Sequence, residues 1–94
     1  MKVIIINGPN LNLLGKRNPG VYGDVSFDSY FKQLKQSFES LCLDNYQSNV
    51  EGEIINKLQE VDGVYDYVIL NGGGYTHTSV AIADCIEAID VPVI

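Results

Sequence analysis

The chain has 94 residues, of which 46% are apolar and 10% aromatic, and its 12 acidic and six basic side chains give a net charge of −6. A chain of this length is expected to form a single domain over residues 1–94, which excludes a separate cofactor domain. The acidic balance argues against non-specific binding to nucleic acid or to an anionic membrane.

Membrane insertion, secretion and zinc binding are all disfavoured by the sequence. No apolar run reaches the roughly 20 residues that cross a bilayer, and Met1–Ile6 lacks the pattern of a secretory leader. Cys42 and Cys85 do not form a C-x-x-C pair, and the chain has one histidine, so a Cys/His zinc site is not expected. We therefore expect a cytoplasmic protein with no membrane partner and with two free, mostly buried thiols.

The first half of the chain predicts a strand, a long loop, a helix and a second strand. Lys2–Ile6 is a β-branched run that stops at Asn7-Gly8-Pro9, as in a strand buried on both faces. Residues 8–25 show no sustained period, and a loop of this length inside a compact domain is usually functional or disordered. Apolar residues at helical spacing then predict a helix over about 26–41. The next segment, Leu43–Gln47, is predicted to be a short, weak strand.

The second half predicts two helices and two further strands. Ser48 followed by Glu51 matches a capping box and predicts a helix that runs to Val61. Tyr67–Leu70 is a buried strand that ends at Asn71-Gly72-Gly73-Gly74. A third helix follows, capped by Thr76 or Thr78 and extending to about Ile89, and Val91–Ile94 is a fourth strand.

The resulting order, β-α-β-α-β-α-β, predicts a three-layer α/β fold around a parallel sheet. The flavodoxin-like strand order 2-1-3-4 is the preferred topology, with strands one and three adjacent at the topological switch point. Ligands bind there, outside the carboxyl ends of the strands. Asn7–Tyr22 and Asn71–Thr78 follow those two strand ends, so both segments are expected to form one site.

The predicted third helix is apolar on almost all sides, from Val80 to Ile89. One side can cover the sheet, and the other would face water in a monomer. Such helices are usually buried on both sides, so we expect a homo-oligomer in which another subunit covers the second side.

Several side chains in the two loop segments have more than one interpretation. Tyr22 close to Arg17 can act as a base, because a cation favours the phenolate, or it can pack its ring on the core. Asn10 can contact a ligand or simply form a turn. Asp84, the acid at the centre of an apolar helix, is either a buried interface group or an exposed edge residue.

The glycine-rich segment Asn71–Thr78 likewise has a functional and a structural interpretation. Its glycines could let backbone N–H groups and a helix N-terminus approach an anion such as a carboxylate. His77 could then contact a substrate hydroxyl. In the structural interpretation the segment is a plain strand-to-helix turn in which His77 belongs to the helix cap.

Taken together, these motifs closely resemble the type II 3-dehydroquinate dehydratase (type II dehydroquinase) family. The resemblance covers the whole chain in register: N-G-P-N-L-N-L-L-G at 7–15, R-x-P-x-x-Y-G at 17–23, Q-S-N-x-E-G at 47–52, N-x-G-x-Y-T-H-T at 71–78 and V-P-V-I at 91–94. It implies a flavodoxin-like hydro-lyase of the shikimate or quinate pathway, with no metal or organic cofactor. The reaction removes water from 3-dehydroquinate to give 3-dehydroshikimate through an enolate.

The resemblance also implies roles for individual residues. Tyr22 would be the base that takes the proton next to the ketone, and Arg17 would lower the pKa of Tyr22. Asn10 would help hold a water molecule that stabilises the enolate oxygen. The residues that would contact the substrate are Asn71, Gly73 and His77, together with Asp84, which would reach the site of a neighbouring subunit. Trimers that assemble into dodecamers are the implied oligomer.

The chain departs from the family pattern in several ways, one of which is a shorter stretch at Cys42–Tyr46. Val50 stands where a His is common, and Ala83 where a basic residue often precedes the acid. The resemblance further implies a general acid, a carboxylate-binding turn, a fifth strand and a last helix after position 94, and these are expected to be absent here. Two functions therefore remain open, a dehydratase and a catalytically inactive binding or assembly module. A flavodoxin-like receiver or mononucleotide binder fits only the fold.

Overall fold

A computed structural model describes residues 1–16 and 25–94 of the chain. These residues form three parallel strands and the helices that pack on them. The strands are β1 (Lys2–Asn7), β2 (Cys42–Gln47) and β3 (Tyr67–Asn71). Within the described residues the helices are α1 (Phe27–Ser37), α2 (Glu51–Val61), α3 (Tyr75–Thr78) and α4 (Val80–Ala88), and Leu11–Leu13 forms a 3₁₀ turn.

The sheet has the order β2-β1-β3, with every pair parallel, as predicted. The C-terminal segment lies on the far side of β3, where the fourth strand was expected. The Val68 N–H donates to the Pro92 carbonyl at 2.9 Å, and the Ile94 N–H donates to the Val68 carbonyl at 2.9 Å. The predicted fourth strand is reduced to one parallel bridge, between Val68 and Val93. With that reduction, the strand order 2-1-3-4 of a flavodoxin-like fold is confirmed.

The alternation of side chains along β1 builds two cores, one on each face of the sheet. Ile4 and Ile6 point to one face, where α2 and α4 cover them, and Val3 and Ile5 point to the other, where Phe31 of α1 packs. β1 is buried on both faces because it lies between two strands and below helices on both sides. The fold therefore has the three layers that the element order predicts.

The second face is only partly covered. Phe31 packs against Val3, Ile5 and Leu43 over β1 and β2, whereas Ile69 of β3 remains 41% exposed. An apolar groove of about 320 Å³ lies between α1 and β3 as a result.

The first helix is shorter than predicted. Ser26 caps α1, since its hydroxyl accepts from the Ser29 N–H at 3.2 Å. The helix ends at Ser37 rather than near position 41, because Phe38 has φ −127° and ψ 57° and leaves the helical conformation. Leu41 nevertheless packs against the same core from outside the helix, which explains why the apolar spacing extends beyond the helix itself.

The capping box predicted at Ser48 and Glu51 is wrong. Val50 occupies the N-cap position of α2 with an extended backbone. The Ser48 hydroxyl accepts from the Val50 N–H at 2.9 Å and donates to Glu53 at 2.5 Å. Glu51 instead accepts a hydrogen bond from the Ser79 hydroxyl at 2.6 Å, so a tertiary partner replaces the local one.

The predicted third helix is interrupted, and its predicted cap is also wrong. Ser79 has φ −90° and ψ 99°, which separates the single-turn α3 from α4. The Ser79 hydroxyl caps α4 by accepting from the Ile82 N–H at 2.9 Å, while the Thr78 hydroxyl donates back to the Gly74 carbonyl at 3.3 Å. Ile82 and Cys85 then form the buried side of α4.

The two cysteines differ in their surroundings. Both are free, as predicted, but Cys42 is exposed rather than buried because it begins the outer strand β2. Cys85 belongs to the core, where burial raises the pKa of its thiol. None of the helices in the described ranges has the length and apolar character that a bilayer crossing requires.

Candidate active site

The carboxyl ends of the three strands lie side by side. In the register of the sheet, Asn7 is aligned with Gln47 on one side and with Asn71 on the other. The loops that follow these residues therefore gather at one edge of the sheet. The structure thus brings together residues 7–16 and 71–78, the described parts of the two segments in which the sequence placed the site, and it adds the β2–α2 connection at residues 48–50.

Backbone contacts join the loop after β1 to the loop after β3. The Gly8 N–H donates to the Asn71 carbonyl at 2.7 Å, and a Cβ added at Gly8 would lie 2.6 Å from the Gly72 carbonyl oxygen. Gly73 has φ +58°, and its Cβ would lie 2.9 Å from the Pro9 carbonyl oxygen. These glycines are required by the close approach of the two loops and by backbone conformation.

Asn10 adopts the left-handed backbone conformation, with φ 71° and ψ −4°. It precedes the 3₁₀ turn, and its N–H donates to the Asn49 Oδ1 atom at 3.0 Å. Asparagine is one of the few residues that tolerate this conformation. The turn-forming interpretation of Asn10 is therefore observed, and it leaves the exposed side chain available to a ligand.

Amide side chains line the edge of the site next to β1 and β2. Gln47 Nε2 lies 3.2 Å from the Gly8 carbonyl oxygen and 3.0 Å from Asn49 Oδ1, both within donating distance. A cavity of about 260 Å³ opens beside Asn7, Asn12 and Gln47. Gln47 and Asn49 belong to a motif of the sequence to which no role was assigned, and their position at and just after the end of β2 is the signal that points to this edge.

The glycine-rich turn after β3 uses several of its polar groups internally. Asn71 Oδ1 accepts from the Gly73 N–H at 3.3 Å, and the N–H groups of Tyr75 and Thr76 donate to the carbonyls of Gly72 and Gly73. This matches the strand-to-helix turn of the structural interpretation. His77 lies in α3 with its side chain exposed.

A second cavity, of about 280 Å³, lies beside the glycine-rich turn. The residues that line it include Gly72, Thr76, Ser79, Ala83 and Ile94. The site region is therefore bordered by a polar cavity next to β2 and a mainly apolar cavity next to α4.

Asp84 is separate from this group of loops in the sequence, and its side chain is exposed on α4. Exposure in the single chain agrees with both interpretations of Asp84, since a second subunit could cover the same surface. The two other predicted residues, Arg17 and Tyr22, lie outside the described residues. Over residues 1–16 and 25–94, no three His, Cys, Asp or Glu side chains come together as a metal site would require.

Comparison with known proteins identifies relatives along the whole chain. The family model described as "Dehydroquinase class II" matches residues 1–94. The 3-dehydroquinate dehydratase of Fusobacterium nucleatum is 50% identical over 99 residues, which cover all of this chain and 67% of that protein. The enzyme of the same name from Campylobacter jejuni is 49% identical over 96 residues, which cover 60% of its length. The chain therefore spans about three fifths to two thirds of these relatives.

Solved structures show the same fold. The type II dehydroquinase of Butyrivibrio crossotus superposes with a TM-score of 0.90 at 38% identity, over 98% of this chain and 66% of that one. The type II dehydroquinase of Propionibacterium acnes gives a TM-score of 0.88 at 26% identity, over 98% and 65%. With sequence motifs, strand order and backbone in agreement, the chain belongs to the class II dehydroquinase family.

Proposed function

We propose that this protein serves as a hydro-lyase that dehydrates 3-dehydroquinate to 3-dehydroshikimate through an enolate. The observation that carries the proposal is the contact between the Asn10 loop and the Asn71–Thr78 loop through Gly8 and Gly73. This contact brings the two most specific motifs of the chain to one edge of the sheet. Relatives that match the whole of this chain at 49–50% identity are named 3-dehydroquinate dehydratase.

In the proposed mechanism Tyr22 removes the proton next to the ketone. A phenol has an ordinary pKa of about 10, so it needs a cation such as Arg17 to act as a base near neutral pH. The electron pair of the broken C–H bond forms the enolate, whose oxygen is stabilised by a water molecule that Asn10 holds. The enolate then re-forms the ketone as the C=C bond of the product forms and the C–O bond to the β-hydroxyl breaks. The hydroxyl leaves as water with a proton taken from solvent, and Tyr22 returns its own proton to solvent.

The substrate would lie along the loop after β3. We assign Asn71, Gly73 and His77 to substrate contacts, and His77 to the hydroxyl groups. The exposed imidazole of His77 supports its assignment, since it can reach a ligand without rearrangement of the core. Asp84 is assigned to the site of a neighbouring subunit, for which its exposure on α4 is the support.

We further propose a trimer-based homo-oligomer, with a dodecamer as the complete assembly, and a cytoplasmic location. The exposed apolar side chains of α4, with Val80 at 82% exposure, support assembly through this helix. The two free cysteines, Cys42 on the surface and Cys85 in the core, support a reducing compartment.

Absorbance of the conjugated enone product tests the proposed reaction directly. The 94-residue chain should produce this signal from 3-dehydroquinate, and Tyr22→Phe should lower kcat by about 10²–10⁴-fold, the usual contribution of a general base. Tyr30→Phe is the matched control, because Tyr30 is an exposed tyrosine of α1. Full activity in Tyr22→Phe would exclude Tyr22 as the base.

The same preparation distinguishes the dehydratase from an inactive binding module. Binding of 3-dehydroquinate, seen as a thermal shift of the folded chain, without formation of the enone would identify the module. Neither binding nor turnover at millimolar substrate would exclude both functions.

A further inference from the structure

Asn49 connects all three loops at the carboxyl edge of the sheet. It lies between the end of β2 at Gln47 and the start of α2 at Glu51. Its Oδ1 atom accepts from the Asn10 N–H at 3.0 Å and from Gln47 Nε2 at 3.0 Å. Its main-chain carbonyl accepts from the Tyr75 hydroxyl at 3.0 Å.

The orientation of the Asn49 amide follows from its partners. The Asn10 N–H and the Gln47 Nε2 group are both donors, so only the oxygen of the Asn49 side chain can satisfy them. Gln47 in turn reaches the Gly8 carbonyl at 3.2 Å. The two amide side chains therefore hold the loop after β1 at three points, Gly8, Asn10 and Asn12.

This hold acts on a backbone conformation that is costly without support. Asn10 has φ 71°, in the left-handed region that L-residues seldom occupy. The hydrogen bond from its N–H to Asn49 fixes the peptide group whose orientation decides where the Asn10 side chain points. Without this acceptor, the loop would be free to adopt other turn conformations.

The main-chain carbonyl of Asn49 holds the loop after β3 through a hydrogen bond from Tyr75. Tyr75 begins α3 and lies between Gly73 and His77 in the chain. Its hydroxyl contact with Asn49 ties α3 to the β2–α2 connection. Asn49 thus makes direct contacts with both loops, with Asn10 on one side and with Tyr75 of the Gly73–His77 segment on the other.

We propose that Asn49 is a positioning residue of this site, which holds Asn10 through its side-chain oxygen and the α3 turn through its carbonyl. The inference rests on the proposed function, because it explains how Asn10 is held in the position from which it would bind the water molecule beside the enolate oxygen. Asn49 is itself exposed, so its loss should affect the geometry of the site more than the stability of the fold.

The test compares Asn49→Ala with Asn49→Asp in the 94-residue chain. Alanine removes the acceptor, so exchange of the Asn10 amide proton, followed by NMR, should accelerate by about tenfold, as expected for one lost hydrogen bond. Aspartate keeps an oxygen that can accept both bonds and should restore slow exchange. Asn56→Ala is the matched control, since Asn56 is an exposed asparagine of α2 away from these loops.

Enzyme kinetics with 3-dehydroquinate provide the second readout. Because Asn10 is proposed to act on the enolate, Asn49→Ala should lower kcat by about tenfold while KM changes less, and Asn49→Asp should recover most of kcat. A uniform loss of stability would not produce this division, nor would it be reversed by the aspartate variant.

The possible outcomes separate this inference from the proposed function. Asn10 exchange that is unchanged in Asn49→Ala, or an aspartate variant as impaired as the alanine one, would overturn the positioning role. If the wild-type chain neither binds nor converts 3-dehydroquinate, the proposed function is wrong, and the role of Asn49 in that site is wrong with it. Faster exchange of the Asn10 amide in Asn49→Ala would then show only that the hydrogen bond stabilises the structure of the loop. If Asn49→Ala does not fold, Tyr75→Phe replaces it in the test, because this variant removes the hydroxyl that donates to the Asn49 carbonyl. Unchanged amide exchange in α3 together with an unchanged kcat would then contradict the positioning role of Asn49.

Discussion

At the scale of single residues, Gly73 shows how closely the two site loops are packed. Its φ of +58° favours glycine, and an added methyl group would also meet the Pro9 carbonyl oxygen at 2.9 Å. The backbone fixes the position of a Cβ at Gly73, and the atom that it would meet is a main-chain oxygen, so no side-chain rotation can relieve the contact. Gly52 in α2 is the opposite case, because a Cβ there would meet nothing within 4 Å.

We expect Gly73→Ala to lower the free energy of unfolding by about 1–3 kcal/mol, since both the strained φ and the steric contact oppose the methyl group. Gly52→Ala should raise it by about 0.5–1 kcal/mol, because alanine is the better helix former. Urea denaturation of the two variants beside the wild type measures both effects. Equal stability of the two variants would show that the loops can move apart at little cost.

At the scale of elements, a tyrosine ties the connection before β3 to strand β2. The Tyr65 hydroxyl donates to Asp44 Oδ2 at 2.5 Å, and the ammonium of Lys2 lies 4.5 Å from the centre of the Tyr65 ring. The hydrogen bond to Asp44, with partial burial and the charge of that carboxylate, raises the pKa of Tyr65 to about 12. The folded chain thus holds the phenolic proton more tightly than the unfolded chain.

This shift predicts a loss of stability in strong base. The contribution of the Tyr65–Asp44 bond should be complete below pH about 10, the ordinary pKa of tyrosine, and should disappear as the pH rises through about 12. Ultraviolet titration of the tyrosines should detect one group near pH 12, and Asp44→Asn should lower its pKa towards the ordinary value. Asp28→Asn, at an exposed position of α1, is the control and should leave the titration unchanged.

The helix ends show which parts of the elements could be predicted from sequence. The apolar spacing of α2 and α4 correctly indicates helices, because each buries one side against the sheet. Their starting points were predicted wrongly, at Ser48 for one helix and at Thr76 or Thr78 for the other, since Ser48 bonds to Glu53 and Ser79 bonds to Glu51. A cap depends on which donor and acceptor are nearest in three dimensions, and local spacing does not determine that.

At the scale of the whole molecule, one side of α4 is left without cover. Ile82 and Cys85 are buried against the sheet, whereas Val80 is 82% exposed and Ala81 and Ala83 are exposed beside it. This uneven burial of an apolar helix is the physical basis for the proposed assembly through α4.

We expect the wild-type chain to sediment as an oligomer and Val80→Lys to sediment as a smaller species, because a buried, unpaired charge at the interface is strongly unfavourable. Val64→Lys is the matched control, since Val64 is a valine at 56% exposure between α2 and β3. Sedimentation velocity at several concentrations measures the effect. A monomeric wild type, or identical behaviour of the two variants, would contradict assembly through α4.

The sequence by itself determined the family, the parallel α/β fold and the two loops that meet at the site. Buried β-branched runs and helical spacing are local signals, and parallel strands must bring their carboxyl ends to one edge. Only the tertiary structure decided the caps, the interruption at Ser79, the exposure of Cys42 and the central position of Asn49. The hydrogen bonds from Asn10 to Asn49 and from Ser79 to Glu51 join residues far apart in the chain, and such contacts form only when the strands have been brought side by side.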